Sequence, residues 1–257
     1  MLEALSAEAL KMRTHKATWF LVWLFPIAFT AIMLIAIVSG VTGTDGAEKQ
    51  SAADWMENTA IIWFVPNQAI GRYLIAAFVA VVFAGEYGWN TWKLVVPHRR
   101  RPSLIGAKYA LILILFAISF LLTAAIVTAL TFADHQIRGE AIPAGVTGAA
   151  IWDVQAKAAL AAVAPVLITI GYASLAAVLT RSTIAALVIA IAATTVEQVV
   201  ASFGPQLSVM FASVVLPLYH LLPGHHIMNI GECIGEGAAL KREFPGGQIR
   251  HRPWRRG

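Results

Sequence analysis

Two ionisable residues, Arg72 and Glu197, interrupt long apolar stretches of the sequence. A charge inside a membrane is costly, so such residues are usually paired or functional. Arg72 lies about 21 Å along a helix from Glu86, and Glu197 about 24 Å from Arg181, at a rise of about 1.5 Å per residue. Both fall in the outer third of a bilayer. An ion pair is geometrically feasible there, although two separate side chains that reach outer water are favoured.

Two polar residues, Asn67 and Gln68, precede Arg72 and lie near the same outer level. Polar groups that share one level of a membrane protein can line the exit of a substrate path. The alternative is ordinary capping of the helix that follows them. The sequence leaves both interpretations open.

The sequence contains no recognisable catalytic motif, and its potential metal ligands do not have the spacing of a known metal site. The sequence has no H-E-x-x-H helix, no G-x-S-x-G turn and no two carboxylates together in one apolar stretch, so we expect no enzyme. A cluster of imidazole and sulfur groups matches no defined ligand spacing, so we expect no metal site. Its members are His220, His225, His226, Met228 and Cys233. A single cysteine also excludes an internal disulfide framework.

The composition determines the class of protein to which these residues belong. Of 257 residues, 58% are hydrophobic and only 13% are charged, and the mean hydropathy is +0.71. Soluble domains carry about 25% charged residues. The apolar excess excludes a soluble enzyme, a disordered chain and a collagen-like repeat. We therefore predict an all-α integral membrane protein, with residues 1–257 forming a single transmembrane domain.

Five segments have the length and apolarity of transmembrane helices, which need about 20 residues each. They are Thr18–Ser39, Asn67–Gly85, Tyr109–Phe132, Ala158–Thr180 and Ser182–Ala201. Residues Gln206–Leu222 predict a short sixth helix or a re-entrant piece. If they span, a tight turn is required at Phe203–Pro205.

Two further patterns concern packing and the N terminus. Leu2, Leu5, Ala9 and Met12 share one helical face, which predicts that residues 1–16 form a helix in the headgroup layer. Small residues at four-residue spacing let helices approach closely. In the fourth and fifth spans they predict bundle packing or a dimer contact: Ala173 and Ala177, Ala186 and Ala190.

The distribution of Lys and Arg predicts the orientation. The N-terminal segment, the segment 86–108 and the turn at Arg181 carry nine of them, and the opposite loops carry three. Short loops rich in Lys and Arg remain in the cytoplasm, so the N terminus is predicted to be cytoplasmic. The net charge of +5 and the pI near 9.6 reflect these loops and the basic tail beside anionic lipids. Because the basic residues are dispersed, no nucleic-acid partner is expected.

The segment 86–108 is unusually long for a cytoplasmic turn, which needs only a few residues. It begins with Glu86, continues as a short amphipathic stretch and breaks at Pro97. Three arginines, Arg99, Arg100 and Arg101, follow before the chain returns to the membrane after Lys108. A docking element on the cytoplasmic face is one interpretation, and a solvated run of charges is the other.

This segment resembles the cytoplasmic signature of permease subunits of ABC-2 type ATP-driven transporters. That signature has a Glu at the end of span two, then a Thr, an aromatic and a basic residue, and then a Pro, an Arg and a Lys. The matching positions are Glu86, Thr91, Trp92, Lys93, Pro97, Arg101 and Lys108. Asn90 stands where the family often has Gly. The start of the chain, through Trp19 and Pro26, is similar to the branch with lantibiotic-immunity and bacitracin-export permeases.

The resemblance implies a permease powered by a separate ATPase subunit, which binds the ATP, so the chain itself needs no cofactor. The sequence agrees in having no G-x-x-x-x-G-K-[ST] loop. The resemblance also implies that Glu86 to Arg101 contact that ATPase. Trp89 and Trp92 are then expected as buried anchors, with Lys93 and Arg99–Arg101 as a charged rim. A second permease chain and membrane lipids are the other expected partners.

The implied location is the bacterial plasma membrane, and the implied cargo is a drug, an antimicrobial peptide or a lipid-like molecule. Three alternatives remain open: a motor-free scaffold or sensor, an ion-coupled carrier, and a copper-related ABC permease. The polar, basic tail at residues 230–257 departs from the family, whose members usually end in a long sixth helix.

Overall fold

The fold is all-helical across the residues that the computed structural model describes, which are 5–6, 9–10, 12–13, 16–42, 51–88 and 101–210. Side chains are described at these positions except 17, 21, 41–42, 86–88, 101–104, 201 and 204–210. The helices are α1 (Lys16–Thr42), α2 (Ala52–Thr59), a 3-10 helix (Ile61–Asn67), α3 (Ala69–Gly88), α4 (Arg101–Arg138), α5 (Gly148–Thr180) and α6 (Thr183–Met210).

Four described helices are long and apolar enough to cross a membrane. They contain the segments Thr18–Gly40, Ile105–Arg138, Gly148–Thr180 and Thr183–Val200. The predicted second span is a fifth only if the 3-10 helix and α3 count as one broken span, because the two axes differ by 75°. Of the five predicted transmembrane helices, four are therefore candidate spans by themselves, and the second is a candidate only as part of this bent pair.

The break before α3 has a local cause. Gln68 has an extended conformation, with ψ of 146°, and its carbonyl accepts the first hydrogen bond of α3, from Arg72 N at 3.0 Å. The 3-10 helix folds back so closely that a Cβ on Gly71 would overlap the backbone carbonyl of Val65. Only glycine permits this approach, so the bend depends on the residue type at position 71.

Helix α3 lies at the centre of the bundle. It contacts α5 and α6 on one side and α1 and α4 on the other, and α1 packs along α4. Aromatic rings fill the space near α1 and α4, where Phe25 meets Phe120 edge to face at 5.2 Å and Phe78 meets Phe116 at 5.2 Å. In lipid, close packing of this kind holds helices together, because lipid chains are as apolar as the side chains.

A two-residue connection forces α5 and α6 to run side by side. Arg181 adopts the left-handed conformation at φ 55° and ends α5, and the Ser182 hydroxyl accepts a hydrogen bond from Ala185 N at 3.4 Å as α6 begins. The four small residues predicted to mediate packing are all fully buried in this region: Ala173, Ala177, Ala186 and Ala190. They therefore serve contacts within the chain.

The chain ends differ from the predictions in part. The described residues before α1 are helical and contact its start, since Trp19 Nε1 donates to the Arg13 carbonyl at 2.7 Å. Their position in the headgroup layer stays a prediction.

Helix α6 runs unbroken to Met210, so the tight turn considered at Phe203–Pro205 is wrong. The rest of the sixth segment and the tail 230–257 lie outside the described residues.

Candidate functional site

A buried ion pair joins the start of α3 to α6. Arg72 Nη2 lies 2.8 Å from Glu197 Oε2, and their side chains are only 4% and 2% exposed. Arg72 falls in the first turn of α3, immediately after the bend, and Glu197 lies in the second half of α6. The structure thus places the two residues together and out of contact with water, instead of letting each reach outer water separately.

Helix α5 supplies the third side of this pair. Arg72 Nε donates a hydrogen bond to Thr169 Oγ1 at 2.8 Å, and the Thr169 hydroxyl donates to the Pro165 carbonyl at 2.7 Å. One guanidinium therefore binds both neighbouring helices. Tyr172, one turn further along α5, lies close to the Glu197 carboxylate. Burial of two charges is tolerated because each has a charged partner, and Arg72 has an additional hydrogen bond to Thr169.

The hydrogen-bonding capacity of this site is incompletely used. Glu197 Oε1 and the hydroxyl of the fully buried Thr194 have no hydrogen-bond partner among the described residues. Both lie on α6, three residues apart, and hence on one face of the helix. Buried polar atoms are normally paired, so these two atoms can accept or donate bonds to a further polar group.

Two more polar contacts connect the bend to α6. The Tyr73 and Thr195 hydroxyls share a hydrogen bond at 2.7 Å, and Gln198 Nε2 donates to the Asn67 carbonyl at 3.0 Å. Through their backbones Asn67 and Gln68 thus anchor and cap the start of α3, which agrees with the capping interpretation. Their role in a substrate path stays a prediction.

The contacts of Tyr109 of α4 mark one height along the bundle that α3, α4 and α5 share, called the Tyr109 level below. Its ring packs against Phe83 of α3, with centroids 5.3 Å apart, and its hydroxyl shares a hydrogen bond with Ser174 of α5. At about 1.5 Å per residue, the backbone of Thr169 lies about 8 Å and that of Arg72 about 17 Å from this level, in the direction of α2.

The same scale gives the depth of the ion pair. Gly88 and Thr180 end α3 and α5 about 8–9 Å from the Tyr109 level, on the side away from α2. The pair therefore lies about 16–25 Å from these helix ends. The position of the pair in the outer third of the bilayer stays a prediction.

The predicted ATPase contact lies mostly outside the described residues. This applies to Trp89, Thr91, Trp92, Lys93, Pro97, Arg99 and Arg100. The backbone of Glu86 belongs to the last turn of α3, and α4 begins at Arg101, so 101–108 is helix and not loop. Lys108 is only 2% exposed within α4. The two helix ends that flank the segment lie at the end of the bundle opposite α2.

No group of three or more potential metal ligands occurs among the described residues. The cluster weighed for copper, from His220 to Cys233, lies beyond Met210 and outside the described part of the chain.

Sequence reasoning missed the uncharged members of the site. Thr169 and Tyr172 carry no charge, and nothing in their spacing shows that α5 approaches α3. A signal was present on α6, where Thr194, Thr195, Glu197 and Gln198 form a polar run inside an apolar segment. Such a run predicts a helix face turned toward protein and not toward lipid.

Comparison with known proteins adds one match. Residues 4–197 of the 257 match the family model described as ABC-2 family transporter protein. No curated protein and no solved structure matches the chain.

Proposed function

Because the chain belongs to the ABC-2 family of transporter proteins, we propose that it is the permease subunit of an exporter whose ATPase is a separate polypeptide. The family and the apolar helices make the chain a multi-pass membrane protein. The absence of a phosphate-binding G-x-x-x-x-G-K-[ST] loop from these 257 residues supports a separate motor.

The segment from Glu86 to Arg101 is the proposed contact with the ATPase. Trp89 and Trp92 act as anchors, and Lys93 with Arg99, Arg100 and Arg101 forms the charged rim. Helix α3 supports this role, because it runs without interruption from Arg72 to Gly88. A displacement of its Gly88 end is therefore transmitted along a stiff helix to the ion pair, about 24 Å away at 1.5 Å per residue.

The Arg72–Glu197 pair is the proposed functional centre within the membrane. Two observations support this assignment: the burial of the pair, and two buried polar atoms at the site, Glu197 Oε1 and the Thr194 hydroxyl, that have no partner among the described residues. ATPase closure pushes on α3, shifts Arg72 against α5 and α6, and opens a path between these helices by alternating access or lateral extrusion. Asn67 and Gln68 line the outer part of that path.

The remaining assignments follow the orientation predicted from Lys and Arg. The permease pairs with a second permease chain in the bacterial plasma membrane, surrounded by lipid, with its N terminus in the cytoplasm. Its cargo is a drug, an antimicrobial peptide or a lipid-like molecule, as in the lantibiotic and bacitracin branch that its sequence resembles. A resident metal or other cofactor has no part in this mechanism.

A double substitution tests the ATPase contact. Trp92→Ala with Lys93→Ala removes an anchor and a rim charge, so we expect loss of co-purification with the ATPase and at least tenfold weaker transport-coupled ATP hydrolysis. The readouts are pull-down of the candidate ATPase subunit and ATP hydrolysis in proteoliposomes.

The matched control is Trp152→Ala with Lys157→Ala, which changes the same residue types near the α2 end of the bundle. Trp152 is 70% exposed and Lys157 pairs only with Asp153 among the described residues, at 2.6 Å. This variant should retain the ATPase. Equal behaviour of the two variants, or transport by the purified chain alone without nucleotide, would contradict the proposal and favour a motor-free role.

A further inference from the structure

At the α2 end of the bundle, α3 is much shorter than its neighbour α5. Measured from the Tyr109 level, α5 extends about 39 Å to Gly148, but α3 extends only about 21 Å to Ala69. Helix α3 therefore ends about 18 Å short of its parallel neighbour. The 3-10 helix and α2 occupy this space, where they contact α4 and α5.

Tryptophans indicate where the membrane surface lies at this end. Trp152 of α5 is 70% exposed and lies about 33 Å from the Tyr109 level. Exposed tryptophans of membrane proteins favour the headgroup layer. Trp55 of α2 is fully buried against Phe132 of α4, at nearly the same height of about 35 Å. Helix α2 thus lies at the interface.

The 3-10 helix lies deeper. Trp63 packs edge to face on Phe120 of α4, with centroids 5.9 Å apart, and Phe120 lies about 17 Å from the Tyr109 level. The 75° bend turns this helix away from the direction of α3. Its most exposed side chains are apolar, Ile61 at 44% and Phe64 at 48%, as a surface toward lipid requires. On α2, by contrast, the exposed residues include Glu57 and Asn58.

One side chain of α5 holds this segment in place. Gln155 Oε1 accepts a hydrogen bond from Trp63 Nε1 at 2.6 Å, and Gln155 Nε2 donates to the Thr59 carbonyl at 2.8 Å. Nε2 also lies 3.5 Å from Thr128 Oγ1 of α4. Backbone outside regular helices is tolerated at membrane depth only where protein satisfies it, and Gln155 does so at the junction of α2 with the 3-10 helix.

We propose that residues 51–68 enter one leaflet and continue into α3 as the first part of a broken span, and that Gln155 is the positioning residue that holds this segment over the Arg72–Glu197 pair. The segment leads directly into the ion pair, since Arg72 follows the bend by four residues and Gly71 touches Val65. The hydrogen bonds of Gln155 with Trp63 and Thr59 are called the latch. While they are intact, the segment blocks the entry of water from the α2 side, and the segment can move away only when they break.

The latch is tested by accessibility to a charged, membrane-impermeant maleimide in nanodiscs, which expose both faces of the bilayer. The full chain carries Cys233→Ser and the reporter Thr194→Cys, because Thr194 is fully buried beside the pair. Gln155→Met keeps the side-chain volume but removes its hydrogen bonds. We expect at least tenfold faster labelling of the reporter with Gln155→Met than without it.

The matched control is Gln136→Met, the same change at an exposed position of α4, which should leave the labelling rate unchanged. An exposed reference, Glu140→Cys, should label equally in all backgrounds. If Gln155→Met fails to fold, Trp63→Phe breaks one latch bond from the other side and should accelerate labelling in the same direction. Fast labelling with the latch intact, or no acceleration in folded latch variants, overturns the proposal.

A separate measurement gives the depth of residues 51–68 in the membrane. A nitroxide on Phe64→Cys should collide more often with lipid-soluble oxygen than with a water-soluble nickel complex, and one on Glu57→Cys should show the reverse. Preference of the Phe64 label for the nickel complex overturns the placement of this segment inside the leaflet. These measurements need neither nucleotide nor ATPase, so their failure and failure of the proposed function are distinguishable.

Discussion

Replacement of Arg72 by alanine is expected to lower the free energy of unfolding by about 3–5 kcal/mol, because it leaves the Glu197 carboxylate buried without its partner. Glu197 is only 2% exposed, and one of its oxygens already lacks a hydrogen-bond partner among the described residues. Thermal unfolding in detergent, followed by size-exclusion chromatography, measures this loss. Glu197→Ala should have a comparable effect, since it strands the guanidinium instead.

Two double variants separate stability from function at this pair. Arg72→Leu with Glu197→Leu removes both charges together, and apolar replacement of a whole buried pair is often neutral or stabilising. Thr169 keeps its bond to the Pro165 carbonyl in this variant. We expect the free energy of unfolding to recover to within about 1–2 kcal/mol of that of the original chain. If the pair acts in the transport path, this variant should nevertheless fail to transport.

The charge-reversed double variant, Arg72→Glu with Glu197→Arg, tests the pairing itself. It should restore part of the stability that either single reversal removes, because the opposite charges can meet again across α3 and α6. A pair that contributes only stability would give full transport in the double leucine variant. No rescue by charge reversal would contradict direct pairing of the two residues.

Gly71→Ala is expected to open the bend between the 3-10 helix and α3. The added Cβ would overlap the Val65 carbonyl oxygen and lie 2.7 Å from its carbon, and both are backbone atoms that cannot rotate away. Overpacking of this kind costs about 1–3 kcal/mol, so we expect a lower unfolding temperature. The displaced segment should also weaken the contacts of Asn67 and Arg72 with α6.

Gly85→Ala is the control on the same helix, since nothing lies within 4 Å of a Cβ there. Alanine is favoured over glycine within a helix by about 0.5–1 kcal/mol, so this variant should be neutral or slightly more stable. Equal destabilisation by the two substitutions would show that the close approach at Gly71 does not hold the bend.

The comparison of Arg72 with Thr169 shows how far sequence reasoning reaches into the site. Charges stand out in an apolar segment because their burial is costly, so Arg72 and Glu197 could be identified without a fold. Their partners could not, because threonine and tyrosine carry no charge, and threonine hydroxyls in helices are often satisfied locally. Thr123, Thr128 and Thr131, for example, each donate to a carbonyl four residues earlier in α4.

The second span illustrates a different limit. An apolar run from Asn67 to Gly85 predicts a helix of the right length, and a helix is present from Ala69. The 75° break before it follows from the approach of Gly71 to Val65, which depends on how α2 and the 3-10 helix pack on α4 and α5. Hydropathy measures the solvent preference of a segment and contains no information on such contacts.

The sequence alone determined the class of the protein, the approximate spans and the two costly charges, because the bilayer imposes the same requirement on every segment that crosses it. Only the tertiary structure decided that Arg72 and Glu197 meet, that Thr169 binds the same guanidinium, and that Gln155 holds the segment before α3. These contacts join residues about 100 positions apart. They depend on which helix faces pack together, and between helices in lipid that choice is made by the fit of side chains and not by hydrophobicity.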